Sequence, residues 1–276
     1  MSEAATAAMS SDFGHYSANY KNFESELYAE IRREAFGVDI GQSSWITADE
    51  QDRGLKLLHL GPGKNLLDVA CGSGGPALRL AELTGCSLVG VDVHEDAVKT
   101  ANSLSAQREL SARAKFQAAD ASGELPFSEA CFDAITCIDA INHLPNRPQV
   151  VAEWTRLLKP GGRLLFTDPI TLTGPLTNEE MTIRSSIGFF LFVPAGYDEQ
   201  VIASCGLRMI LCEDATANMA NLAQRRREAR AKRADVLRKI EGEQTFEKQQ
   251  TFFEVAARIA KERRLSRFLY VAEKPE

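Results

Sequence analysis

The chain has 276 residues, 44% of them hydrophobic, a formal charge of -6 and a pI near 5.4, enough for one α/β domain with insertions. The acidic balance argues against a protein built to bind nucleic-acid phosphates, and no apolar run approaches the length of a membrane span. Residues 1–12 are small and polar, without the basic start and apolar stretch of a secretory signal, so they are expected to form a disordered tip on a cytoplasmic protein, monomeric or homo-oligomeric.

The first periodic segment, 15–36, carries Tyr16, Tyr20, Phe23, Leu27 and Ile31 at steps of four, three, four and four, which lays one apolar stripe along a helix. That stripe either covers the core or brings Tyr16 and Tyr20 over a bound ligand. In 41–50, Thr47 precedes a helix with Glu50 three residues on, the spacing of a capping box. Together, 13–60 read as an N-terminal helical lid over a domain spanning 61–276.

Asn65 to Ala70 is short and apolar enough for a buried strand, and from Pro76 onward Leu78, Leu80, Ala81 and Leu83 fall at helical spacings. Between them, Gly72, Gly74 and Gly75 permit a tight turn and close approach of backbone to ligand. A strand, a glycine loop and a helix N-terminus make a nucleotide pocket. Gly72, Gly74 and Ala77 also satisfy the dinucleotide pattern G-x-G-x-x-G/A, with Asp92 twenty residues after Gly72. Asp68 argues against that reading, because a carboxylate at the strand exit repels a diphosphate and suits a ligand with an ammonium or sulfonium group.

Residues 87–92 read as a second strand ending in Asp92, whose two oxygens suit the hydroxyls of a ribose. A helix follows, with Glu95 and Asp96 in its first turn. Residues 115–119 form a third strand ending at Asp120, where a carboxylate and the N–H of Ala121 can read an adenine edge. Residues 132–139 give the fourth strand. A helix over 147–159, stopped by Pro160, Gly161 and Gly162, leads into a fifth strand with Asp168 near its end. His143 follows the fourth strand and Asp168 the fifth, adjacent positions at one crevice mouth, so a carboxylate–imidazole pair is expected there.

Two segments depart from a minimal fold. Residues 171–195 include the run IGFFLFVP, read either as an insertion lining an acceptor pocket with Phe189 and Phe192 or as core packing. Asp198 is expected to cap the short helix that follows. Between a sixth strand near 207–214 and a last strand at 266–273, residues 214–265 insert about fifty residues of helical pattern. Their six basic residues between Arg225 and Arg233 read as a solvated helix face. The six cysteines contain no C-x-x-C pair and no zinc-ligand spacing, so they are expected to be buried thiols, with no metal site.

The string D-V-A-C-G-S-G-G-P at 68–76, the D-A-x-x-x-L-P-F segment at 120–127 and L-K-P-G-G-R-L-L at 158–165 resemble the class I S-adenosylmethionine-dependent methyltransferases, strongly over 60–170. The resemblance implies an α/β, Rossmann-like seven-stranded sheet in order 3-2-1-4-5-7-6, the last strand antiparallel, with helical cap insertions. It implies S-adenosyl-L-methionine as cofactor, contacted by Asp68, Ala70, Cys71, Gly72, Gly74, Asp92, Val93, Asp120, Ala121 and Ile138, with Ser44 and Trp45 at its methionine end. The loop around His143 and Asp168 further resembles natural-product and sugar O-methyltransferases. That likeness implies a small-molecule hydroxyl acceptor, His143 as base oriented by Asp168, and Asn142 where the family often has a second histidine, with no nucleic-acid partner. An amine acceptor is the alternative, and an NAD-dependent oxidoreductase, which would need a hydride site, the alternative from another class.

Overall fold

A computed structural model of the chain describes residues 25–276; Tyr16, Tyr20 and the 1–12 tip lie outside the described residues. Within them, an α/β sheet sits between helices. In chain order the elements are α1 (Glu26–Phe36), α2 (Ala48–Leu58), β1 (Asn65–Val69), α3 (Gly75–Thr84), β2 (Ser87–Asp92), α4 (Glu95–Gln107), β3 (Ala114–Ala118), β4 (Phe132–Ile138), α5 (Arg147–Leu157) and β5 (Leu158–Leu172). There follow α6 (Asn178–Arg184), β6 (Val193–Pro194), α7 (Tyr197–Ser204), β7 (Arg208–Asp214), α8 (Thr216–Ala231), α9 (Ala234–Glu241), α10 (Glu243–Lys261) and β8 (Leu265–Glu273).

The sheet runs β3-β2-β1-β4-β5-β8-β7, the expected path, with β8 antiparallel to both neighbours. It has one strand more than expected, because the two-residue β6 pairs with the far end of β5. Strands β1, β2 and β4 are buried on both faces, as parallel strands flanked by helices must be, which is why they read as unbroken apolar runs. Helix α5 ends at Leu157, before the expected Lys159, because Leu158 already pairs with Phe132 of β4. The register then jumps to Arg163, and residues 159–162 loop out with Gly161 at φ 71°. A second register break falls between Asp168 and Thr171, where Pro169 has no N–H for the ladder.

Helices α1, α8 and α10 pack on one another, and α10 also sets Val255 and Ile259 against Ile170 and Leu265 of the sheet. Ala35, Phe36, Met219, Leu222, Phe252, Phe253 and Ala256 form one apolar cluster with Trp45, and Ile31, Ala229, Leu237 and Phe246 a smaller one. The N-terminal helix and the insertion before β8 thus build a common cap above the carboxyl ends of the strands. Phe192 joins Ile170, Val255, Ile259 and Leu265 beneath that cap. Among the described residues no helix is long and apolar enough to cross a membrane.

Candidate active site

Between the strand ends and the cap lies a cavity of about 540 Å³. Its floor follows from the loop after β1. Ala70 (φ 54°), Gly72 (φ 54°) and Gly74 (φ 78°) all take left-handed backbone, so the chain reverses within a few residues and opens α3 toward the cavity. Gly74 is not itself in the lining: a Cβ there would stand 2.9 Å from both Ala101 and the Phe116 ring, so its role is packing. Gly75 is tighter still, since a Cβ would lie 2.4 Å from the Ile40 carbonyl. The segment before α2 is therefore laid directly on the glycine turn, which brings Ser44 and Trp45 into the lining.

The carboxylates on the strand ends have distinct surroundings. Asp68 is buried and accepts a 2.6 Å hydrogen bond from Thr136 Oγ1; burial pushes its pKa up to about 7, since low dielectric disfavours the charged form. Asp92 accepts from the Gly72 N–H at 2.8 Å and the His94 N–H at 2.9 Å, and its Oδ1 lies 2.8 Å from His94 Nδ1. It thereby locks the glycine turn to the end of β2. Asp120 is exposed and accepts from the Ser122 N–H at 2.9 Å, next to the buried Ala121. With Ala70, Cys71, Gly72, Val93 and Ile138, these three face one cavity.

A fourth strand-end carboxylate went unread in the sequence. Asp139, at φ 53°, accepts from the Trp45 N–H, from Thr167 Oγ1 and from Arg267 Nε, each at 2.7 Å. Arg267, wholly buried on β8, also pairs with Glu50. Thr47 does accept from the Glu50 N–H at 3.2 Å, but the Glu50 side chain turns away from the expected capping box to Arg267 and to Asn218 Nδ2, 2.6 Å away. This network joins α2, α8 and the sheet, and it fixes Trp45 against the cavity.

The expected pairing of His143 with Asp168 is replaced by another. Both Asp168 oxygens are engaged elsewhere, Oδ2 by Arg147 Nη1 at 2.5 Å and Oδ1 by the Ile170 N–H at 3.1 Å, and Asp168 lies outside the cavity lining. Arg147 also holds Asp198 at 2.8 Å. Asp198 therefore sits inside the first turn of α7 as a buried ion-pair partner, and Gly196 occupies the N-cap position expected for it. Burial, then the charge of Asp168, raises the Asp198 pKa. Through Nη2, Arg147 reaches the Leu191 carbonyl at 2.9 Å and so anchors the loop after α6. His143 does line the cavity, with Nδ1 2.6 Å from the Phe189 carbonyl and its ring edge-on to Phe190 at 4.8 Å. A carbonyl only accepts, so Nδ1 carries the proton and Nε2 the lone pair. Desolvation holds the imidazole pKa below its usual 6.5.

Of the other expected acceptor contacts, Phe189 lines the cavity; Phe192 is turned into the cap core and Asn142 is wholly buried outside the lining. Helix α8 is not the solvated face expected for it throughout. Arg225, Arg227, Lys232 and Arg233 do meet Glu34, Glu254 and Glu30 or backbone at the surface, whereas Arg226 and Arg230, one turn apart, line the cavity.

Comparison with known proteins agrees with this geometry. A strand–glycine turn–helix floor with carboxylates on successive strand ends, in this sheet order, is the fold of the class I S-adenosylmethionine-dependent methyltransferases. Residues 67–166 match the methyltransferase domain family. The 27-O-demethylrifamycin SV methyltransferase of Amycolatopsis mediterranei is 31% identical over 159 residues, covering 54% of this chain and 58% of the relative. The chain spans about half the length, or less, of the curated relatives it matches first, and those relatives include enzymes named for O-, C- and N-methylation. Among solved structures, Haemonchus contortus phosphoethanolamine N-methyltransferase 2, complexed with phosphomonomethylethanolamine and S-adenosylhomocysteine, superposes at TM-score 0.78 with 20% identity, covering 95% of this chain and 61% of that one. The [4+2]-cyclase SpnF superposes at 0.72 with 22% identity, covering 90% and 93%.

Proposed function

We propose that the protein transfers a methyl group from S-adenosylmethionine to a small-molecule acceptor, a hydroxyl in the first instance. The observation that carries this reading is the set of carboxylates Asp68, Asp92 and Asp120 opening into one cavity beside the glycine turn. That donor set fits a nucleoside with a cationic amino-acid end. Asp68 and the turn would hold the ammonium, Asp92 the ribose hydroxyls, and Asp120 with the Ala121 N–H the adenine edge. A diphosphate would instead meet a buried carboxylate at Asp68.

When bound, S-adenosylmethionine supplies a methyl group already activated on a sulfonium, so the chain has mainly to align the acceptor and exclude water. Trp45, held by Asp139, closes the cavity on the side of α2. His143 acts as the base, taking the acceptor's proton at Nε2. Its depressed pKa keeps it neutral at pH 7, and Asp168 is committed to Arg147. An amine acceptor is the second reading, supported by the N-methyltransferase relatives; the same imidazole would take a proton from an ammonium.

His143→Ala should lower turnover on a hydroxyl acceptor by about a hundredfold to a thousandfold while leaving S-adenosylhomocysteine affinity within about twofold. Undiminished turnover would remove His143 from the mechanism.

A further inference from the structure

Arg147 stands where local forces disfavour it. It opens α5, whose first turn carries no acidic residue, so its charge meets the positive end of the helix dipole. It is also 2% exposed and has lost its hydration. Both costs are offset by two buried carboxylates on Nη1, Asp168 at 2.5 Å and Asp198 at 2.8 Å. A lysine ammonium could serve that pairing. The planar guanidinium adds a second direction, and Nη2 uses it to donate to the Leu191 carbonyl at 2.9 Å.

Leu191 belongs to the 185–192 loop, in which residues 189–192 have no regular structure and Phe189 is 40% exposed. Three hydrogen bonds within three residues tie this stretch to the end of β4. The Leu191 N–H donates to the Asn142 carbonyl at 2.9 Å, the Leu191 carbonyl accepts from Arg147, and the Phe189 carbonyl accepts from His143 Nδ1 at 2.6 Å. Asn142 and His143 lie in one short 3-10 turn, Ile141–His143, and Arg147 follows it by four residues. On the other side Phe190 and Phe192 pack on Ile170 and its neighbours. The tautomer of a histidine is set by the hydrogen bond its other nitrogen makes. The carbonyl that sets it here lies two residues from the one that Arg147 grips.

We infer that Arg147 is a positioning residue for His143. Through the Leu191 carbonyl it fixes the loop whose Phe189 carbonyl receives the Nδ1 proton, so Asp168 and Asp198 act on the imidazole at second hand. A reacting group displaced by about 1 Å loses on the order of a hundredfold in rate, and a loop held by Phe190 and Phe192 without the arginine would permit such a shift. The effect on turnover rests on His143 being the base, as the proposed function has it; the effect on the tautomer does not.

The test is heteronuclear NMR of the isotope-labelled full chain. It has four histidines, so the His143 ring signal is the one lost in His143→Ala, and His94, beside Asp92, is the internal control. Wild-type His143 should show one tautomer, with the proton on Nδ1. Arg147→Lys keeps a charge for Asp168 and Asp198 but not the fork, and should show both tautomers while His94 is unaltered. Its kcat on a hydroxyl acceptor should fall about tenfold to a hundredfold, with KM for S-adenosylmethionine within about twofold. Asp198→Asn disturbs the ion pair but leaves the Leu191 contact, and should keep the single tautomer. A single tautomer retained in Arg147→Lys would overturn the inference, as would mixing in Asp198→Asn to the same degree, since the ring would then only follow the stability of the fold. Mixed tautomers in the wild type would overturn it without any variant. Undiminished turnover in His143→Ala would instead remove the base, while the tautomer comparison would still decide what Arg147 does.

Discussion

The two walls of the cavity hold charge in opposite ways. On the strand ends, Asp68 and Asp92 are fixed by short local contacts, Thr136 Oγ1 for one and the Gly72 and His94 N–H groups for the other. Their positions follow from the sheet alone. On the cap, Arg184 and Arg226 are positioned by aromatic rings from the loop after α6, from α10 and from the segment before α2. Their placement depends on several separate stretches of chain docking together. A carboxylate wall suits a ligand with a cationic end. The first wall is built into the Rossmann-like core, whereas the second depends on insertions around it.

The sharpest way to break this comparison is to cut the tie between the walls. Arg267→Met would leave the Asp139 and Glu50 carboxylates buried without their cation, a loss of about 3–5 kcal/mol of stability that chemical denaturation would register. A loss below about 1 kcal/mol would mean that cap and sheet are held together some other way.

The same division explains what the sequence made legible. Strands β1, β2 and β4 stand out because both faces are buried, and a chain that must reverse at φ near 54–78° beside a ligand uses small residues and glycine, as Ala70, Gly72 and Gly74 do. Asp68, Asp92 and Asp120 could then be read from position alone. The Asp139–Arg267–Glu50 network joins residues up to 217 positions apart, and no local pattern announces such a partner. Glu50 had the spacing of a cap and Asp168 the position of a histidine's partner; in each case a buried arginine, Arg267 or Arg147, took the carboxylate. On α8 the charges surround the axis, so nothing in the spacing distinguishes the turn carrying Arg226 and Arg230 from its solvated neighbours. The rings of α10, with Trp45 and Phe36 beside Arg226, decide which arginines turn inward.

Two smaller effects sharpen the strand-end half of the comparison. Asp92→Ala removes the carboxylate proposed to hold the ribose and the lock on the Gly72 N–H, and should weaken S-adenosylhomocysteine binding about a hundredfold, as expected for losing two hydrogen bonds to a charged group, with the unfolding transition retained. Unchanged binding would show that the ribose lies elsewhere.

The pH dependence through Asp68 is gentler. In the unliganded protein its pKa of about 7 stands above the usual 3.8, so the folded state holds the proton more tightly than the unfolded one. The resulting stabilisation is present below about pH 4 and declines as the pH rises to about 7. An ammonium ligand needs the carboxylate, so its binding should release a proton and weaken by about tenfold from pH 8 to pH 6. Asp68→Asn should flatten that slope, which titration at several pH values would reveal.

The central claim is that the carboxylate wall receives a nucleoside with a cationic amino-acid end rather than a diphosphate. Calorimetric titration of the wild-type chain with S-adenosylhomocysteine and, separately, with NAD tests it most directly. Saturable one-to-one binding of S-adenosylhomocysteine with no heat from NAD is the predicted result, and saturable binding of NAD with none of S-adenosylhomocysteine would contradict it.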